Sequence, residues 1–161
     1  MATPQPCDHT SGGILVFREG KLLLIDRKRP PLGLAAPAGH VDKHGDPEDP
    51  EERQYRDAAL AELYEETGLI TTDTGLVLLR EGRKENPCRR PDGSWHYWRI
   101  YVAEAAGDLK PSTEETRGAF WCTREQMEIM LSGQLIMREG GGGLEPVWLE
   151  WFTELNVLDL F

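Results

Sequence analysis

Apolar and polar positions fall in blocks whose period changes along the chain, and the changes mark the elements. Gly13 to Phe17 (Gly-Ile-Leu-Val-Phe) and Leu22 to Ile25 are short apolar runs around Arg18-Glu19-Gly20-Lys21, a pattern that predicts a β-hairpin. Asp26 to Pro31 is a charged exit. Gly33 to Val41 (Gly-Leu-Ala-Ala-Pro-Ala-Gly-His-Val) reads as a loop beside a short strand, and Asp42 to Pro50 as a polar loop. Helix formers dominate from Glu51 to Thr67, with Pro50, Glu51 and Glu52 suited to the start and Gly68 to the stop. Leu76 to Leu79 predicts a strand, Glu81 to Ser94 a loop, and the aromatic stretch Trp95 to Ala103 another strand. After a loop from Gly107 to Gly118, Ala119 to Cys122 predicts a short strand. Thr123 and Gln126 form a capping box for a helix over Arg124 to Leu131. Gly140 to Gly143 is a spacer before an apolar helical tail, Val147 to Leu155. Hairpin, helix, strands and helices in this order, without a repeat, predict an α+β layered domain.

Composition narrows the function. At 161 residues, 39% hydrophobic and 29% charged, the chain suits one globular domain. A net charge of −10 argues against nucleic acid as a partner. No apolar stretch approaches the ~20 residues that span a bilayer, so no membrane partner is expected. Cys7, Cys88 and Cys122 are far apart and form no Cys-x-x-Cys pair, so neither a disulfide framework nor a structural zinc site is expected, and the compartment reads as reducing and cytoplasmic. Met1 to Ser11 lacks the form of a signal peptide. Cys7 and His9 have the types of a metal pair, but a frayed terminus is the better reading.

The charge is concentrated. Between Asp46 and Glu66 stand nine acids and two bases, −7 of the net −10. On a helix, Glu62, Glu65 and Glu66 fall at i, i+3 and i+4, within an arc of roughly 100°. Such a stripe is either a solvated face or a set of oxygen ligands for a hard divalent cation.

The flanking residues favour the second reading. Glu62-Leu63-Tyr64-Glu65-Glu66-Thr67-Gly68-Leu69 resembles the second half of the Nudix box, G-x5-E-x7-R-E-U-x-E-E-x-G-U with U apolar. Pro37-Ala38-Gly39-His40-Val41 resembles the loop in which that box begins, with Gly39 as its leading glycine. The hairpin upstream and Trp121-Cys122-Thr123 downstream also sit where the Nudix hydrolase family places such elements. The resemblance implies a Nudix-like α/β/α sandwich with a mixed β-sheet over residues 12–138. A flexible terminus (1–11), a Gly-rich linker (139–146) and a C-terminal helix packed on the domain (147–161) complete the expected organisation. Two features depart from the pattern. Ala61 stands where the box has the arginine that holds a catalytic glutamate. Gly39 and Glu62 are 23 steps apart instead of 15, so the first box acid is open among Asp46, Glu48, Glu51 and Glu52.

The resemblance implies Mg²⁺-dependent hydrolysis of a nucleoside diphosphate linked to another moiety, with Mn²⁺ as the alternative ion. It makes Glu65 and Glu66 metal ligands, Glu62 a ligand or a neighbour of the attacking water, and Gly39 part of the metal loop. A later acid, Glu114 or Glu115, is the candidate base; Glu115 is preferred. For the anionic substrate the candidates are His40, Arg89, Arg90 and Trp95. The competing readings are a Nudix-like module that senses a nucleotide without cleaving it, favoured by Ala61, an acidic interaction protein, and an isomerase of an isoprenoid diphosphate. The chain is expected to act as a monomer or homodimer.

Overall fold

The apolar runs at the start of the chain pair as the expected hairpin, and the rest of the fold grows from the way its strands separate. The computed structural model describes residues 3–41, 52–133 and 143–161. Among them the strands are β1 (Thr10–Arg18), β2 (Lys21–Arg27), β3 (Leu34–Ala35), β4 (Ala38–Gly39), β5 (Val77–Lys84), β6 (His96–Ala103) and β7 (Thr116–Cys122). The helices are α1 (Glu52–Thr67), α2 (Arg124–Leu131) and α3 (Pro146–Glu154). Glu19 and Gly20 turn the hairpin with φ of 52° and 71°, the doubly left-handed turn whose twist suits two antiparallel strands.

β1 and β2 pair only beside that turn, at Phe17↔Leu22 and Arg18↔Lys21. Beyond it they diverge. β1 pairs in parallel with β6 and antiparallel with β4, while β2 pairs antiparallel with β3 and β7. The sheet order is β3-β2-β1-β6-β5, with β4 on β1 and β7 on β2. The mixed sheet is covered on both sides, as the α/β/α sandwich requires. On one face α1 packs Tyr55, Ala58, Ala59 and Leu63 against Ile14, Val16 and Tyr101. On the other, Trp148, Trp151 and Phe152 of α3 join Leu15, Leu24, Trp98 and Ile100, with Met127 and Met130 of α2. Gly12 and Gly13 allow both approaches. A Cβ at Gly12 would lie 2.6 Å from the Tyr55 carbonyl, and one at Gly13 would lie 3.0 Å from the Trp148 ring.

Three strand boundaries differ from the sequence expectation. β5 runs on to Lys84, through the first part of the expected loop. It is an edge strand, so polar residues satisfy one side: Glu81 accepts from Arg99 and from Tyr97 Oη, and Lys84 pairs with Glu154 over the Trp151 ring. β7 begins at Thr116 because β2 offers it a ladder as far as Arg27. β1 begins at Thr10, and Cys7 ahead of it is already buried, so the segment expected to fray is packed from that cysteine on. The loop at 42–51 and the first half of the Gly-rich linker (139–142) lie outside the described residues. No described helix is long and apolar enough to cross a membrane.

The tail packs on its own domain. Trp148 is 1% exposed, crosses Trp98 edge-on at 5.5 Å and tilts on Phe152 at 5.3 Å, while Phe161 meets Phe17 at 5.2 Å. Trp148→Ala is expected to cost about 3–5 kcal/mol of unfolding free energy, the usual range for a buried indole. Urea titration of the full chain checks this, and a loss under about 1 kcal/mol would contradict the packing.

Candidate active site

The buried positions of α1 are Tyr55, Ala58, Ala59, Glu62, Leu63, Glu66 and Thr67, a regular helical stripe that faces the sheet. Glu62 and Glu66 therefore occupy places where an amphipathic helix ordinarily carries apolar side chains, and they are only 4% and 6% exposed. They meet β4. Glu66 Oε1 accepts from the Ala38 amide at 3.2 Å, and a Cβ on Gly39 would collide with the Glu62 carboxylate. Glycine at that point is thus a matter of space. β4 is itself pinned to β1, with the Ile14 amide bonded to the Pro37 carbonyl and the Val41 amide to Thr10 Oγ1.

Burial raises the Glu66 pKa well above the usual carboxylate range. Glu62 and Glu115 push in the same direction, opposed by the Ala38 amide and by Arg27. The sequence offers no hint of Arg27, which comes from β2. It is a positive charge acting on Glu66, and it bonds the Pro31 carbonyl at 2.6 Å and approaches Glu145 at 3.9 Å. Glu145 was equally hidden. A parallel bridge between Leu34 and Leu144 brings it in, and burial pushes its carboxyl up to about 7 against the pull of Arg27.

The divergence of β1 from β2 leaves a cleft of about 370 Å³ above these groups, within the range of small-ligand sites. Glu62, Glu66, Glu115 and Glu145 line it together with Arg27, Arg29, Arg89, Arg90 and His40. Glu115 reaches it because the loop before β7 hangs from the end of α1: the Lys110 and Ser112 amides bond the Thr67 and Glu66 carbonyls. The cleft thus has an acidic floor and an arginine-bearing wall.

Other candidates lie elsewhere. Glu65 is exposed and does not line the cleft, and neither does Glu114. Trp95 is also outside it: His9 stacks on the ring at 4.0 Å with planes 2° apart, and the Arg83 guanidinium lies 4.1 Å from it. Asp46, Glu48 and Glu51 fall outside the described residues. Glu52 is held by Arg56 and by Tyr101 Oη. Arg56 also binds Asp73 and the Leu76 carbonyl, so it anchors the first half of α1 and does not stand in for the arginine missing at Ala61.

Beside the carboxylates lies a second cluster. Cys7, His40, Cys88 and His96 each present one ligand atom, and these atoms all lie within 4.8 Å of one another. Cys7 Sγ is 3.5 Å from His40 Nε2 and 3.3 Å from His96 Nε2. Burial raises the Cys7 thiol to about 11 and lowers His96 from its usual range. No sequence spacing announces this group, because four separate segments supply it. His9, whose type would also suit a metal pair with Cys7, turns its ring to Trp95 instead.

The NUDIX domain profile matches residues 8–139. No curated protein matches the chain in sequence. Among solved structures, the NUDIX domain of Shewanella oneidensis NrtR, complexed with ADP ribose, superposes with a TM-score of 0.65 at 15% identity, over 99% of this chain and 91% of that one. A NUDIX hydrolase from Nitrosomonas europaea gives 0.63 at 16% identity, over 98% and 96%. A MutT/nudix family protein from Enterococcus faecalis gives 0.53 at 22% identity over 75% of this chain, which spans only 45% of that protein. At such identities the structural likeness is one of fold. The profile, in contrast, runs from the residue after Cys7 through the hairpin, the glycine loop and the acidic helix to α2 and beyond, and on that match this protein belongs to the NUDIX family.

Proposed function

We propose that the chain hydrolyses a phosphoanhydride bond in a nucleoside diphosphate linked to another moiety, with Mg²⁺ as cofactor and Mn²⁺ as the alternative. The observation that carries this reading is the burial of Glu62 and Glu66 in the floor of a cleft whose wall carries arginines. Two carboxylates in so dry a place, with Glu115 facing them, repel one another until a cation joins them, and an all-oxygen donor set suits a hard divalent ion. When bound, such an ion neutralises phosphoryl oxygens and acidifies the attacking water.

Glu62 and Glu66 are the assigned inner ligands, held by Gly39 and the Ala38 amide. Glu65, exposed on the same helical turn, is assigned no inner position. Glu115 approaches from the opposite loop and is the assigned base for the water. Arg29, Arg89 and Arg90 are placed to meet phosphates, with His40 beside the glycine loop. The complex of the NrtR NUDIX domain with ADP ribose supports a nucleoside diphosphate as the ligand class. The free cysteines among the described residues fit a reducing, cytoplasmic setting. Ala61 favours one second reading, a domain that binds the same nucleotides without cleaving them.

A panel of nucleoside triphosphates, dinucleoside polyphosphates, nucleotide sugars and ADP-ribose, assayed with Mg²⁺ and product identification, is expected to show cleavage of at least one class. Binding without cleavage throughout would select the sensing module. Glu66→Gln preserves shape and removes the charge. It is expected to lower kcat/KM by about 10²–10³-fold, the cost of losing one electrostatic group in a dry site, while far-UV circular dichroism stays unchanged. Wild-type turnover of that variant at limiting Mg²⁺ would refute the ligand assignment.

Glu145 gives a pH signature. Its folded pKa of about 7 lies above the ordinary 4.5, so the fold favours the protonated form. Its contribution to stability is complete below pH about 4.5 and is lost as the pH rises to about 7, a change of order 3 kcal/mol. Melting temperature followed across this window without added divalent ions is expected to decline less steeply in Glu145→Gln than in the wild type. Parallel curves would contradict the buried carboxyl.

A further inference from the structure

We propose that Cys7, His40, Cys88 and His96 bind a structural zinc ion that ties the segment before β1, the glycine loop, the β5–β6 loop and β6 into one wall of the cleft. The site is separate in chemistry from the carboxylate floor, and it does not depend on whether the cleft cleaves its ligand.

Donor type is the first argument. Two thiols and two imidazoles are a borderline-soft set that suits Zn²⁺, whereas the glutamates offer only hard oxygen. Two thiolates and two neutral imidazoles around Zn²⁺ carry no net charge, as a site with Cys7 and His96 buried requires. Geometry is the second. A tetrahedron with Zn–S near 2.3 Å and Zn–N near 2.0 Å has S···N edges of about 3.5 Å. The observed edges from Cys7 Sγ to the two Nε2 atoms are 3.5 and 3.3 Å. Four protein donors leave no open position, which marks a structural ion and not a catalytic one.

The backbone around the cluster is built to hold the sulfurs. The Cys7 amide bonds the Pro91 carbonyl at 2.9 Å, and the Tyr97 amide bonds the His9 carbonyl at 2.8 Å, so the leading segment lies along the ligand loop and the start of β6. The His9 amide points at Cys7 Sγ at 3.3 Å, a donor suited to a thiolate. Cys88 sits in a tight turn closed by its own amide to the Gly93 carbonyl at 2.7 Å, and a Cβ on Gly93 would collide with the Cys88 sulfur. His40 follows the glycine that makes room for Glu62, so the ion would fix that loop from its far side. Arg89 and Arg90, in the cleft wall, follow Cys88 directly and would be positioned with it.

The test uses the full chain expressed in zinc-supplemented medium and purified under reducing conditions. Elemental analysis is expected to find about one zinc per chain in the wild type, in Cys122→Ser and in Glu66→Gln, and little in the double variant Cys7→Ser/Cys88→Ser. Retention of zinc by Glu66→Gln separates this site from the carboxylate floor. Should the double variant fail to fold, wild-type protein stripped by a strong chelator and refilled with Co²⁺ gives an independent reading. One equivalent is expected to produce the intense visible bands of tetrahedral cobalt with sulfur ligands, and Zn²⁺ to abolish them. Stoichiometric zinc is also expected to raise the melting temperature of the stripped protein. The proposal is overturned by a zinc-free wild type that gives no such cobalt spectrum, by zinc that stays in the folded double variant, or by a Cys7–Cys88 disulfide in the protein as purified.

Discussion

The register of α1 places Glu62 and Glu66 on its buried stripe, and most of the architecture serves that placement. A buried carboxylate is costly unless it is hydrogen-bonded, paired or protonated. Each form of relief comes from a different element. β4 gives the Ala38 amide and the empty space at Gly39, β2 gives Arg27, and a divalent cation is the remaining partner that the proposed activity requires. The loop carrying Glu115 hangs from the carbonyls at the end of the same helix, so the opposing acid is aligned by the helix as well.

That arrangement needs a sheet that opens without falling apart. The hairpin is closed at Glu19-Gly20 and splayed at its far end, because β1 and β2 each find other partners there. The gap is the cleft. Beside it the indoles of Trp98, Trp148 and Trp151 fill the space between the sheet and α3, and Trp98 and Trp148 also line the cleft. The tail is part of the domain's core, and Glu145, the residue just ahead of α3, lines the cleft.

Two donor sets stand side by side on either flank of Gly39, one of oxygen and one of sulfur and nitrogen. Their separation is chemical: Mg²⁺ prefers carboxylates and water, while thiolates and imidazoles discriminate against it. A closed site on the far side of the loop stiffens the loop without competing for substrate, which is the role that second-rank supports play around catalytic groups.

The hairpin, the acidic helix with its stop at Gly68, the capping box at Thr123 and the apolar tail were all determined by the sequence itself. Each depends on neighbours within one turn or one strand, where side-chain period and local hydrogen bonds decide the outcome. The family pattern pointed to Gly39, Glu62, Glu65 and Glu66 as one group, while the contacts of the loop with Glu62 and Glu66 came from the tertiary structure. The extension of β5 to Lys84 was not legible, because an edge strand with polar residues looks like a loop until β6 supplies its ladder. Nor were Arg27 and Glu145 in the cleft, the removal of Trp95 from it, the exposure of Glu65, or the meeting of Cys7, His40, Cys88 and His96. These depend on residues tens of positions apart approaching within a few ångströms, through the parallel pairing of β1 with β6, the splay of the hairpin and the Leu34–Leu144 bridge.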